Sequence, residues 1–363
     1  MSGDCRVKHD YQARLEKLRD SLAEKDIEAL LITSPANRFY LSGFDGSNGY
    51  LFISHEKAIL ATDFRYLEQA SEQAGRHMEI YPLQKKASEE LAIITEREGW
   101  SHLGFEEEYL TYYNYNVLVE KLDIPFIPVQ QTVEKLRMVK EEGELELIRK
   151  AAQLTDEAYA EIRPRICPGV RERDLAIELE YILQKKGGEG PTFNYIVASG
   201  VRSALPHGVA SSKEIQEGEL VILDFGVSCG GYSSDMTRTV FVGTPQKEHE
   251  ETWQVVREAQ QAALKEMQSG AKAVDVDTRA REVIKDAGMA DKFGHGLGHG
   301  LGLEAHEAPT LSSRGKETLS KNMVVTVEPG VYFKDWGGIR IEDMVIVGDK
   351  GPEIITGSIR ELL

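Results

Sequence analysis

Two carboxylates that one hairpin carries to the same side of a sheet constrain this chain more than any other feature. In Val221-Ile-Leu-Asp224-Phe-Gly-Val-Ser-Cys-Gly-Gly-Tyr-Ser-Ser-Asp235-Met-Thr-Arg-Thr-Val-Phe241, two β-rich runs flank Gly230-Gly231. That pair tolerates the positive φ of a tight hairpin turn. With Gly230-Gly231 as a two-residue loop, Asp224 pairs with Thr237. Asp235 then lies two residues away on the same face, because side chains alternate with period two. Asp224 follows the apolar run Leu220 to Leu223. Burying like charges together is costly unless a cation lies between them. Two solvated aspartates would account for the hairpin alone, but three further stretches weigh against that.

The stretch Phe293-Gly-His295-Gly-Leu-Gly-His299-Gly-Leu-Gly-Leu-Glu304-Ala-His306-Glu307 gathers three of the nine histidines. Its glycines allow close backbone approach. A phosphate-cradling loop is disfavoured because no P-loop lysine follows, whereas imidazole ligation of a metal gives the histidines a role. Val324-Val-Thr-Val-Glu328-Pro329-Gly330 reads as a strand ending at a carboxylate. Gly337-Gly338-Ile-Arg340-Ile-Glu342-Asp343 places Arg340 and Glu342 on one strand face. Asp224, Asp235, His299, Glu328 and Glu342 together offer one nitrogen and several carboxylate oxygens. Such a set suits two hard or borderline divalent ions sharing bridging carboxylates, not a thiolate site.

The order, types and spacings of these five residues resemble the proline-peptidase branch of the pita-bread metallopeptidases, which includes prolidase and Xaa-Pro aminopeptidase. The matching stretches are Leu223-Asp-Phe-Gly226, Ser234-Asp-Met-Thr-Arg-Thr239, His295-Gly-Leu-Gly-His299, Val327-Glu-Pro-Gly330 and Arg340-Ile-Glu-Asp343. Asn37-Arg-Phe-Tyr-Leu-Ser-Gly-Phe44 and Ala61-Thr-Asp-Phe-Arg-Tyr66 carry the likeness into the N-terminal part.

The resemblance implies an α+β fold: a pita-bread catalytic domain over 132–363 behind a smaller N-terminal α/β domain over 1–131. It implies two divalent ions per chain, manganese first, with cobalt, zinc or iron also compatible. Asp224 would chelate one ion and His299 the other, Asp235 and Glu342 would bridge both, and Glu328 would bind metal and handle protons. A hydroxide bridging the ions would attack the bond before a proline. His207 and His306 would face the substrate and the oxyanion. His295, Arg340 and Thr239 would support the ligands, with Arg340 expected to orient a carboxylate such as Asp235. An Xaa-Pro substrate needs a pocket for the pyrrolidine ring; Phe193 and Tyr195 are placed to line it, with core packing the competing reading for both. Some prolidases carry an arginine where this chain has Thr310, with Arg314 nearby, which leaves dipeptides and longer peptides both open. The resemblance also implies a homodimer. The second functional reading is a non-catalytic interaction protein that kept the scaffold, but such recruits usually lose ligands and all five are present.

Composition bounds the rest. The length of 363 residues predicts two domains. A net charge of -17 opposes nucleic-acid binding. No apolar run approaches the ~20 residues of a membrane span, and the N-terminus lacks an apolar signal core. Cys5, Cys167 and Cys229 are few and widely spaced, which argues for a reducing cytoplasm. Small peptides are the expected partners.

In the N-terminal part, strands at 29–32, 50–53, 57–61, 78–81, 103–105 and 126–127 alternate with helices at 10–27, 64–74, 86–98 and 111–122, and Ser34-Pro35-Ala36-Asn37 reads as a turn. Further helices are expected at 133–162, 172–186, 249–268 and 275–287, with strands at 196–198, 323–327 and 339–347.

Overall fold

The computed structural model describes residues 9–362. Backbone contacts divide the chain into two units, His9–Arg137 and a second from Met138 onward.

The first unit is built on a six-stranded mixed sheet in the order Glu79–Leu83, Ala58–Asp63, Tyr50–Ser54, Ala29–Ile32, Leu103–Glu106, Phe126–Val129. Ala29–Ile32 is wholly buried and pairs antiparallel with Tyr50–Ser54 and parallel with Leu103–Glu106. Its uninterrupted apolar run is what a central strand covered on both faces requires. The helix Tyr11–Glu24 buries Leu15, Leu18 and Leu22, and the Asp10 side chain caps its first turn.

The turn expected at Ser34-Pro35-Ala36-Asn37 is instead the start of a helix, Pro35–Ser42. Ser34 Oγ accepts from the Asn37 N–H at 3.3 Å, and Pro35 occupies a first-turn position where its missing N–H costs nothing. Serine, proline and asparagine also favour turns, so the local signal is ambiguous. The charged stretch read as one helix from 133 to 162 divides into Thr132–Met138 and Glu142–Ile162, with Val139 bridging to Met323 between them. Arg137 Nη1 donates to Asn37 Oδ1 at 2.7 Å, so the division falls after Arg137 whereas the sequence boundary falls after 131.

The second unit is α+β, and its sheets are antiparallel throughout. One sheet runs Met236–Phe241, Leu220–Phe225, Ile196–Ser199; the other runs Glu307–Leu311, Gly298–Gly300, Val324–Val327, Asp343–Val347, Pro352–Ile354. Gly330–Phe333 and Gly337–Arg340 form a separate ribbon. Each large sheet has its own core with a helix pair. Leu175, Leu179 and Leu183 of Glu172–Lys185 join Val221, Leu223 and Phe225 in one cluster, which Glu142–Ile162 completes with Ala151, Ala158 and Ile162. Val256, Ala259 and Ala263 of Lys247–Glu266 join Val325, Val327 and Val345 in the other, with Val276 and Ala280 of Ala273–Asp286. The i, i+3, i+4 spacing of these helical residues turns one stripe of each helix inward.

The hairpin has the expected register, Asp224 opposite Thr237. Gly230 and Gly231 take φ of 60° and 79° at its tip. Between tip and sheet the ribbon narrows to Ser228–Cys229 paired with Tyr232–Ser233. Gly226 lets the strands close there: a Cβ on it would lie 1.8 Å from the Ser234 carbonyl oxygen.

Candidate metal centre and active site

Of the residues singled out for the site, all but Thr239, Tyr195 and Arg314 line one cavity of about 450 Å³ in the second unit. Asp224 comes from within Leu220–Phe225, and Asp235 immediately precedes Met236–Phe241. His299 is the middle residue of Gly298–Gly300. Glu328 follows Val324–Val327, and Glu342 lies between Gly337–Arg340 and Asp343–Val347. Strand ends are where a side chain can leave the packed face, and each carboxylate follows or precedes an apolar run that anchors it.

Ligand atoms of Asp235, His299 and Glu342 lie within 4.8 Å of one another. His299 Nε2 is 3.3 Å from Glu328 Oε1 and 3.7 Å from Asp235 Oδ2. His299 Nδ1 is 3.0 Å from the Gly300 carbonyl oxygen. A carbonyl only accepts, so Nδ1 carries the hydrogen and Nε2 of the neutral ring turns its lone pair toward the carboxylates. Gly298 makes this approach sterically open, since a Cβ there would lie 2.0 Å from the Thr326 carbonyl oxygen.

Electrostatically the four carboxylates outnumber the one guanidinium, Arg340, that lines the cavity with them. Burial, then the charges of Glu342, Asp224 and Glu328, push Asp235 well above the usual carboxylate range. Burial, then Glu328 and Asp224, do the same to Glu342. Asp224 is raised by burial against the opposing pull of Arg340. Glu328 is driven up by burial but held below its usual range by His299, whose own value Glu328 raises against the burial penalty. Asp224 Oδ1 and Asp235 Oδ1 are buried with no hydrogen-bond partner. Unpartnered buried carboxylate oxygens beside an imidazole lone pair are what a divalent-cation site offers before the ion is counted. The residues therefore fit divalent metal.

Arg340 corrects one expectation. Its Nη2 donates to Asp224 Oδ2 at 2.6 Å, not to Asp235. The reason is the hairpin register: Arg340 Nε donates to Thr237 Oγ1 at 3.0 Å, and Thr237 faces Asp224 across the strands. Nη1 donates to the Tyr332 hydroxyl at 2.7 Å and to the Pro206 carbonyl at 3.2 Å. Thr239 acts on the Arg340 backbone, its hydroxyl donating to the carbonyl at 2.8 Å and accepting from the N–H at 3.0 Å.

Two functional contacts were not read from the sequence. Thr237 Oγ1 donates to Glu342 Oε2 at 2.7 Å while accepting from Arg340. Alternation from Asp235 already put Thr237 on the metal face, so the signal was present. Tyr332 joins His295 Nε2, at 2.9 Å, to Arg340; nothing local distinguishes it from a strand tyrosine. His295 Nδ1 donates to the Gly296 carbonyl at 2.7 Å, so Nε2 accepts from the phenol.

His207 and His306 are exposed in the cavity lining. The His306 ring centroid is 4.1 Å from that of His299. Burial and the neighbouring His299 keep His306 below its usual range, so near neutrality its ring is uncharged. Phe193 is half-buried in the lining, whereas Tyr195 packs edge-on against Phe193 and Phe225 in the core. Thr310 also lines the cavity, opposite His299 in the strand register.

Comparison with known proteins agrees with this architecture. Residues 146–349 match the metallopeptidase family M24, and residues 14–139 match the creatinase/prolidase N-terminal domain. A Xaa-Pro dipeptidase of Pyrococcus furiosus is 38% identical over 96% of this chain and 99% of its own length. The solved structure of a Xaa-Pro dipeptidase from Bacillus anthracis superposes with a TM-score of 0.95 at 42% identity, covering 98% of this chain and 99% of that one. An X-Pro aminopeptidase from Thermotoga maritima gives 0.89 at 37% identity, covering 96% and 99%. Among the described residues no helix is long and apolar enough to cross a membrane. Fold, donor set and relatives lead to one conclusion: the chain belongs to metallopeptidase family M24, with a pita-bread catalytic domain preceded by a creatinase/prolidase N-terminal domain.

Proposed function

We propose that the protein hydrolyses the bond between an N-terminal residue and a following proline, using two divalent ions held by Asp224, Asp235, His299, Glu328 and Glu342. The observation that carries this is the convergence of four buried or half-buried carboxylates and one imidazole in a single open cavity, with Asp224 Oδ1 and Asp235 Oδ1 unpartnered. The names of the relatives, Xaa-Pro dipeptidase and X-Pro aminopeptidase, support the choice of bond.

Bound divalent ions would supply Lewis acidity toward the scissile carbonyl and a water acidified to near neutrality. Glu328 accepts a hydrogen bond from Thr326 Oγ1 at 3.2 Å and stands beside His299. It takes the water's proton and returns it to the prolyl nitrogen as the bond breaks. The prolyl nitrogen leaves as a secondary amine, and this delivered proton becomes its N–H. His207 and His306 each present an N–H to the developing oxyanion. Phe193 offers the half-buried aromatic face on which a pyrrolidine ring can pack.

Manganese is the preferred ion in this reading, since oxygen ligands outnumber nitrogen. The working form is a homodimer in the cytoplasm acting on small peptides, without nucleic-acid or membrane partners; the net charge of -17 supports the first exclusion.

The test is a specificity panel on metal-reconstituted protein, comparing Ala-Pro, Ala-Pro-Ala and Ala-Ala with manganese, cobalt, zinc and iron. Proline substrates should be cleaved and Ala-Ala spared, and the two proline arms read the preferred length at the Thr310 end of the cavity. Failure to cleave either proline peptide with any of the four ions would return the chain to the non-catalytic scaffold reading.

A further inference from the structure

His207 reaches the cavity from a loop that apolar packing does little to hold. Around it Val201, Leu205 and Val209 are all exposed, the last two at 52% and 51%. A segment with so few buried apolar contacts is ordered by its polar ties or not at all. Ser203 Oγ accepts from the Gly338 N–H at 2.8 Å, but the ties at the two ends converge on one side chain. Glu172, the first residue of the helix Glu172–Lys185, has a fully buried carboxylate. Its Oε1 accepts from the Ser199 N–H at 2.8 Å and from Ser199 Oγ at 2.9 Å. Its Oε2 accepts from Arg202 Nη1 at 2.5 Å, from the Ser211 N–H at 3.0 Å and from Ser211 Oγ at 2.6 Å. Ser199 and Ser211 are the two ends of the segment that carries His207. Arg202 extends the clamp by donating Nη2 to the Val209 carbonyl at 3.0 Å. The tip is tied separately, by Arg340 Nη1 to the Pro206 carbonyl.

We propose that Glu172 is a positioning residue for His207, one buried carboxylate that fixes both ends of the loop carrying that histidine into the active site. The inference rests on the reading of His207 as an oxyanion donor. Nothing in the Glu172 contacts reaches substrate or a metal ligand, so its effect on the reaction passes through the loop. Glutamine keeps the volume but replaces one acceptor oxygen with an NH₂ group. That group faces donors at whichever end it lies, so one end of the clamp opens.

The experiment is a double-mutant cycle on the full-length, manganese-loaded protein with Ala-Pro-Ala as substrate. Glu172→Gln should lower kcat by ~10- to 100-fold, the scale of an ångström-level misplacement, with KM and metal content by elemental analysis unchanged. In a His207→Ala background the same change should cost nothing further, because the group it positions is already gone. An equal loss in both backgrounds, or no loss in either, would overturn the proposal. Ser211→Ala, which removes one hydroxyl tie and leaves the carboxylate paired, should give a smaller loss with the same dependence on His207, and serves if Glu172→Gln does not fold. If His207→Ala keeps full kcat, the oxyanion reading of the site is what fails. Hydrogen exchange then decides on the clamp alone: amides of residues 200–210 should exchange faster in the Glu172 or Ser211 variant, and unchanged protection there would reject it.

Discussion

Replacing Thr237 by valine removes one hydroxyl and almost no volume, yet that hydroxyl joins a proposed metal ligand to the buried guanidinium. It donates to Glu342 Oε2 at 2.7 Å and accepts from Arg340 Nε at 3.0 Å. Hydrogen bonds to charged groups contribute about 1.5–3 kcal/mol each, and two that share one buried hydroxyl do not simply add. To the extent that both bonds persist when ions bind, their energy cancels in the binding equilibrium and appears as lost stability. What remains is the cost of holding Glu342 in a ligating orientation. Loss of such outer contacts lowers metal affinity by about 10- to 100-fold, which is roughly 1.4–2.8 kcal/mol. The assay is competition with a chelator of known affinity, followed by elemental analysis, and kcat at saturating ion. Thr237→Val should need about 10- to 100-fold more free ion for half-occupancy, and Thr237→Ser, which retains the hydroxyl, should behave as wild type. Wild-type affinity and kcat in Thr237→Val would refute the claim that this hydroxyl orients Glu342.

Glu328→Gln keeps an amide oxygen but cannot accept a proton, so kcat should collapse in preparations where elemental analysis still finds metal; retained kcat would remove Glu328 from proton transfer. His306→Ala deletes a donor that lies outside the ligand cluster, and should cost ~10²–10³ in kcat with metal content unchanged; loss of an ion, or an effect on KM alone, would contradict its role. The last expectation concerns pH. In the metal-free protein Asp235 and Glu342 have values raised well above those of the unfolded chain. The folded state therefore binds extra protons above about pH 4, and stability falls as pH rises through the raised values, by up to about 1.4 kcal/mol per group per pH unit. Glu328, lowered, works in the opposite sense and loses stability as pH falls. Asp224 is raised as well, and the lowered Glu328 changes stability only below about pH 4.5. From pH 5 to pH 8 the raised groups therefore set the slope, and the gap in Tm between metal-loaded and chelated protein should widen; a constant or narrowing gap would show that the carboxylates are not packed as described.

The site was legible because its chemistry is written in short runs. Asp224 and Asp235 follow from one hairpin whose register depends only on Gly230-Gly231 and period-two alternation. His299, Glu328 and Glu342 each stand at a break in an apolar pattern. What escaped were relations between runs. That Arg340 meets Asp224 and not Asp235 depends on how the ribbon Gly330–Phe333/Gly337–Arg340 lies against the hairpin, and no local pattern encodes that placement. Tyr332 was missed for the same reason: its bridge to His295 spans separate elements. The helix Pro35–Ser42 was missed for a different one, since Ser-Pro-x-Asn starts turns and helices alike and burial of Tyr40 and Leu41 decides between them. Glu172 had no sequence signal beyond a carboxylate in a helix's first turn, where the macrodipole alone would explain it.

The most direct test of the account counts ions while following turnover. Chelated protein is titrated with manganese, bound metal per chain is measured by elemental analysis, and release of alanine from Ala-Pro-Ala is recorded at each point. The account predicts no hydrolysis without metal and a rate that saturates as occupancy reaches two ions per chain. Full activity in metal-free protein, or saturation at a single ion, would contradict it.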